Sequence, residues 1–161
     1  MGFFLWVQDS ALGTWIRESD WAIFAILIAH TLSMAFLAGT GFTVVLRALG
    51  IAPNISFALL TRFAPVMTIG LIVAILSGVL LVIGYPAKAL TNPLFYVKLG
   101  MLVVAWRVSQ ALLRRFAAVD PSDSSVATKT KAIAIASLVL WLAVIIAGKF
   151  LAYTNTLLLV Y

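Results

Sequence analysis

Four side chains of this sequence sit inside long apolar runs and could do chemistry there: His30, Lys98, Arg107 and Lys149. His30 is the chain's one histidine, and it lies within residues 21–46 (WAIFAILIAHTLSMAFLAGTGFTVVL), a stretch without a charged residue. A lone imidazole in such a run has two readings. One is a hydrogen bond to a hydroxyl on a neighbouring run, for which Ser77, Thr68 and Ser109 are available. The other is a ligand: an axial bond to haem b or a chlorophyll-type pigment, a bond to copper, or a hydrogen bond to a quinone. Met34 follows one turn later on the same face, and Met67 and Met101 lie on other runs, so a His/Met ligand pair stays open. One histidine and no cysteine do not make a zinc site, so no metal is expected beyond that reading of His30.

The three cations need partners, because a charge held within a membrane is expensive unless paired. The 5 acidic residues all lie in loops or near the ends of runs, so none stands at their depth. Lys98 and Arg107 are nine positions apart, which at about 100° per residue puts them on opposite faces of one helix. Arg107 shares a face with Arg114 and reaches toward one end of that helix. Lys98 and Lys149 lie toward the other end, in the same half as His30. Turned inward, the three would set an imidazole beneath two ammonium groups. That pocket suits an amphiphilic anion: a lipid phosphate, or haem propionates above an iron on His30. The simpler reading is snorkelling of all three cations to lipid phosphates. Anion or lipid binding is therefore expected at Lys98, Lys149 and Arg107, with His30 as the cofactor ligand. The small residues Gly39, Gly41, Gly70, Ser77, Gly78, Gly100, Ala147 and Gly148 are expected to serve close helix packing.

No P-loop, dinucleotide fingerprint, GxSxG elbow or HExxH pair occurs, so no catalytic set is assigned and a non-enzymatic protein is expected. The elements that position these residues follow from composition. Of 161 residues, 64% are hydrophobic and 10% charged, against about 25% charged in a soluble domain. This is the composition of a membrane protein, and one domain's worth of chain. The net charge of +6 resides mostly in residues flanking apolar runs, which fits topology and anionic lipid rather than nucleic acid.

Four spans are expected, at about 21–47, 65–85, 93–115 and 130–153. The first, at helical rise, covers roughly 39 Å, enough for the ~30 Å hydrocarbon core. Residues 3–18 are too short and polar to cross. Phe4, Val7, Ala11 and Trp15 recur at helical spacing, predicting one amphipathic helix in the interface with Trp6 and Trp15 at headgroup depth. Ser19 and Asp20 are predicted to cap the first span. Asn54 or Ser56 is predicted to cap the segment FALLTRF, and Asn92-Pro93 to start the third span. The intervening AKALTNP reads as a loop, and the polar stretch DPSDSS as another. The tail at 154–161, TNTLLLVY, is apolar and too short to cross again, so lipid or another subunit must cover it. Arg47, Arg62, Arg114, Arg115, Lys129 and Lys131 flank one side, and Asp9, Glu18 and Asp20 the other. The positive-inside rule then puts both termini outside the cytoplasm.

The stretches LGTWIRESDW, AHTLSMAFLAGTGFTVVLRALG, NPLFYVKLGML and LWLAVIIAGKFLAY together resemble a family of bacterial four-helix inner-membrane proteins of unassigned activity. More distantly they resemble the copper-resistance protein D and cytochrome b561-like bundles. The resemblance implies an antiparallel four-helix fold in the inner membrane, with His30, Lys98 and Lys149 at recurrent polar positions. The b561 pattern uses several histidines and this chain has one. Three functions are therefore carried forward. The first is an accessory subunit of a redox or photosynthetic membrane complex, partnered by lipid and by a second copy or other subunits. The second is a haem-, pigment- or copper-binding protein using His30. The third is a small transporter subunit.

Overall fold

Hydroxyl caps, prolines and one glycine decide where the helices begin and end. The computed structural model describes residues 2–117 and 128–158, and its ordered elements are all helical. They are α1 (Gly2–Gln8), α2 (Ala11–Glu18), α3 (Ala22–Ala48), α4 (Phe57–Thr61), α5 (Phe63–Gly84), α6 (Pro86–Leu90), α7 (Pro93–Ala117) and α8 (Thr128–Leu158). The stretch DPSDSS and the last three residues of the tail lie outside the described residues.

Four segments are long and apolar enough to cross a membrane: α3, Ala58–Gly84, Pro93–Phe116 and Lys129–Leu151. Only 22% to 28% of each segment's most apolar window is buried inside the protein, so most of that surface faces outward. Phe36 on α3, Ile69 and Leu76 on α5, Val103 on α7 and Val139 on α8 are all exposed. A surface this apolar needs lipid around it. The chain is an integral, multi-pass membrane protein built as an antiparallel helical bundle.

The expected interfacial helix over 3–18 is instead two helices. Ser10 makes the break: its hydroxyl donates to Val7 O (2.7 Å) and its oxygen accepts from Gly13 N (3.1 Å). One side chain thus closes α1 and caps α2. Gly13 sits directly beneath the Val7 and Gln8 carbonyls, where a Cβ would collide. Ser19 and Asp20 do not cap α3, whose N-cap is Trp21 with no side-chain bond; Ser19 closes α2 instead. Helix α2 is amphipathic. It exposes Trp15 and fully buries Ile16, whose Cγ2 lies 3.0 Å from where a Cβ on Gly84 would be. Arg17 donates to the carbonyls of Gln8 and Gly84, the C-terminal ends of α1 and α5. A cation there offsets the partial negative charge of both helix ends.

At the opposite end Gly50 adopts φ +80° just past α3, and Ile51 N bonds to Leu46 O, a left-handed stop that glycine makes at little strain. Ser56 caps α4 through Leu59 N, as its sequence position predicts. Asn92 Oδ1 accepts from Leu94 N (3.0 Å) at the start of α7, also as predicted. The expected loop after Pro86 is instead α6, because proline at N1 has no amide to leave unpaired. α7 and α8 both run past their expected ends, α8 carrying helix through Leu158.

Helix α3 is the hub. It packs along α5, crosses α8 and also touches α7, while α7 and α8 form a second close pair and α5 barely meets α7. The core between α3, α7 and α8 centres on Trp141, fully buried, whose Nε1 donates to Ser109 Oγ (3.0 Å). Ser137 Oγ lies 3.4 Å from the same oxygen. Gly41 faces the indole so closely that a Cβ there would overlap Nε1. Of the small residues expected to serve close packing, Gly70 brings α5 against the α3 backbone at Ser33 O, while Gly41, Gly78 and Gly148 make room for the side chains of Trp141, His30 and Lys98. Gly39 and Gly100 depart from that expectation: both face open space.

Candidate functional site

The half of the bundle nearest α2 brings one residue of interest from each long helix to the same region. His30 on α3 is half-buried against α5. Its Nδ1 lies 3.1 Å from Ala74 O and 3.0 Å from Ser77 Oγ. A carbonyl can only accept, so Nδ1 carries the proton. Ser77's own hydroxyl proton is engaged with Val73 O (2.6 Å), leaving its oxygen to accept from the imidazole. The tautomer is thereby set, and the lone pair falls on Nε2. Gly78 makes room for the ring: a Cβ there would come within 3.3 Å of His30 Cε1.

Lys98 on α7 reaches into the same region. Its ammonium is half-buried and stands close enough to His30 for its charge to act on the imidazole. Gly148 on α8 clears its path, since a Cβ there would sit 3.4 Å from both Cε and Nζ. Among the described residues, this ammonium has no hydrogen-bond or ion-pair partner. The three acids of the described residues, Asp9, Glu18 and Asp20, precede α3, and Asp9 is the one that approaches a cation, lying 3.9 Å from Arg17. An imidazole lone pair and an unmatched ammonium, in a region to which all four long helices contribute, can orient a molecule with an acidic head and an apolar body.

The other expected site residues fall elsewhere. Lys149 is next to Gly148 in sequence but is exposed, so the two-lysine pocket reduces to Lys98 with His30. Nine positions from Lys98, Arg107 is exposed on a different face of α7 and lines a separate cavity with Arg114. Of the three hydroxyls offered to His30, Ser77 is the one used. Thr68 bonds to Ala64 O, and Ser109 receives Trp141. Met67 is fully buried in the core, and Met34 and Met101 pack against it. Among the described residues no three of His, Cys, Asp and Glu gather as a metal-binding set. Sequence reasoning missed Ala74, Gly78 and, as Lys98's neighbour, the Gly148 backbone notch. Glycines at close helix crossings were visible, but which side chain each would admit was not.

No family model, curated protein or solved structure matches the chain. The geometry of the bundle therefore carries the functional argument.

Proposed function

We propose that this chain is a non-catalytic accessory subunit of a bacterial inner-membrane complex, and that it holds an acidic amphiphile at His30 and Lys98. The observation that carries this reading is the half-buried Lys98 ammonium, without a hydrogen-bond or ion-pair partner among the described residues, inside a span. Within a bilayer such a cation is stabilised by an anion, and the described residues supply none. The head of the ligand would rest on Lys98 Nζ and its body along the apolar surface beside His30. Supporting the subunit role, α1 leaves Phe3, Leu5 and Trp6 exposed, an apolar face that another subunit or lipid would cover. Supporting termini outside the cytoplasm, Arg47, Arg62, Arg114, Arg115, Lys129 and Lys131 adjoin one end of the bundle, while Asp9, Glu18 and Asp20 precede α3 at the other. The likeness to four-helix inner-membrane proteins supports the bacterial inner membrane as its location.

A second reading rests on the fixed tautomer. Nδ1–H bonded to a carbonyl, with Nε2 free, is the arrangement in which a histidine ligates haem, a pigment or copper. Lys98 would then pair with an acidic substituent of the same group.

Native mass spectrometry of the protein released from membranes tests the first reading. The wild type and Lys149→Met should carry a bound acidic lipid that Lys98→Met loses and Lys98→Arg keeps. Equal retention by Lys98→Met would refute it. A visible absorption band abolished by His30→Ala would establish the second reading in its place.

A further inference from the structure

At the end of the bundle away from α2, Thr68 of α5 and Trp106, Arg107, Gln110, Ala111 and Arg114 of α7 line a cavity of about 470 Å³. It lies on the side where α5 and α7 barely touch, so the wall between them is incomplete. Its size falls in the range of ~300–1,000 Å³ in which small ligands are held.

The lining has an excess of donors. Arg107, Gln110 and Arg114 follow one another at i, i+3 and i+7, which places them on one face of α7. Among the described residues none of the three makes a hydrogen bond or ion pair. Trp106 Nε1 is buried and has no acceptor. An indole N–H is a donor only, and a buried one left unmatched is destabilising. Thr68 adds no donor, because its hydroxyl proton is engaged with Ala64 O (3.0 Å). The cavity thus offers two guanidinium groups and one amide, with no acid on its wall, while Trp106 lines it with Nε1 closed off from the surface.

We infer that this cavity binds a phosphate-bearing anion, with the phosphate oxygens shared between Arg107 and Arg114 and Gln110 donating beside them. Guanidinium groups bind phosphate through paired, charge-assisted hydrogen bonds, and several acceptor oxygens on one centre match several converging donors. Arg107 and Arg114 rise about 10.5 Å apart along the helix, a gap that two long side chains close by bending toward a common group. Phosphate can come from an anionic phospholipid entering between α5 and α7, or from a soluble phosphate compound entering at the helix ends. Both present the same chemistry to these residues.

Native mass spectrometry of the full chain in detergent, titrated separately with phosphatidylglycerol, phosphatidylcholine and inorganic phosphate, tests this. In a Lys98→Met background, which removes the other proposed anion site, the protein should take one phosphatidylglycerol in preference to phosphatidylcholine. Arg107→Gln and Arg114→Gln should each weaken that binding about tenfold, the loss of a charge-assisted contact. Arg115→Gln, the adjacent exposed cation outside the cavity, should leave it unchanged, with helix content by circular dichroism equal in all variants. Displacement of the lipid by millimolar phosphate supports a soluble source, and its persistence supports the lipid. Equal affinity for phosphatidylcholine, or an Arg115→Gln effect as large as that of Arg114→Gln, would each overturn the inference.

Discussion

Gly41→Ala is the sharpest test of how the bundle is held together. The added methyl would overlap Nε1 and Cε2 of Trp141, and the ring is fully buried and tied to Ser109. Either the indole moves or α3 and α8 separate. Overpacking of this kind typically costs about 1–3 kcal/mol. Losing the Trp141–Ser109 hydrogen bond adds roughly 0.6 kcal/mol in a membrane setting. Alanine's better helix propensity returns about 1 kcal/mol. The net expectation is a loss of roughly 0.6–2.6 kcal/mol. Gly39→Ala supplies the control: two positions away it meets open space, so propensity alone acts and stability should hold or rise. Equilibrium unfolding in mixed micelles with rising dodecyl sulfate, followed by circular dichroism, measures both. Trp141→Phe in the Gly41→Ala background should recover part of the loss, giving a coupling energy that distant pairs lack. A Gly41→Ala variant as stable as wild type, or one no worse than Gly39→Ala, refutes the contact.

Other expectations follow from single contacts. Solid-state nitrogen NMR of the His30 ring should show a protonated Nδ1 and a bare Nε2; the reverse tautomer contradicts the bond to Ala74 O. Ser109→Ala should destabilise by roughly 0.6–1.7 kcal/mol because Trp141 Nε1 loses its acceptor in the core, read in the same micelle titration. Ser10→Ala should weaken α2 by about 1 kcal/mol, seen as faster amide exchange over α1 and α2 with α3 unaffected. Arg17→Ala should produce the same pattern by freeing α2 from Gly84 O, and unchanged protection would show that Ile16 alone holds the helix down.

The four spans were legible because the signal is long and one-dimensional: apolar runs of sufficient length, ended by Gly50, Pro86 or Pro93. Among the short helices α4 was legible from its Ser56 cap, whereas α6 and the α1–α2 break were not. α6 was lost because a proline reads as a stop when it can equally be a first residue. The break at Ser10 was lost because the periodicity of Phe4, Val7, Ala11 and Trp15 continues across it, although the serine itself is a standard cap. For the site, sequence placed His30, Lys98 and Lys149 at similar depth but could not fix helix rotation. Rotation is set by Gly41 against Trp141 and by Gly78 against His30, contacts between residues far apart in the chain. Trp141 bonded to Ser109 fixes α8 against α7, and in that arrangement Lys98 is half-buried and Lys149 exposed.

The pairing of helices also sets an order of events during synthesis. Both groups that the His30 ring bonds to lie on α5, so the first two long helices already hold both halves of that contact. The histidine can enter the bilayer with its proton matched before α7 has left the ribosome. Lys98 has no such provision. The notch it occupies belongs to α8, made last, so the lysine must be inserted ahead of its neighbour. Through that interval the growing chain carries a positive charge within a span, and membrane insertion has to tolerate it until the second pair closes.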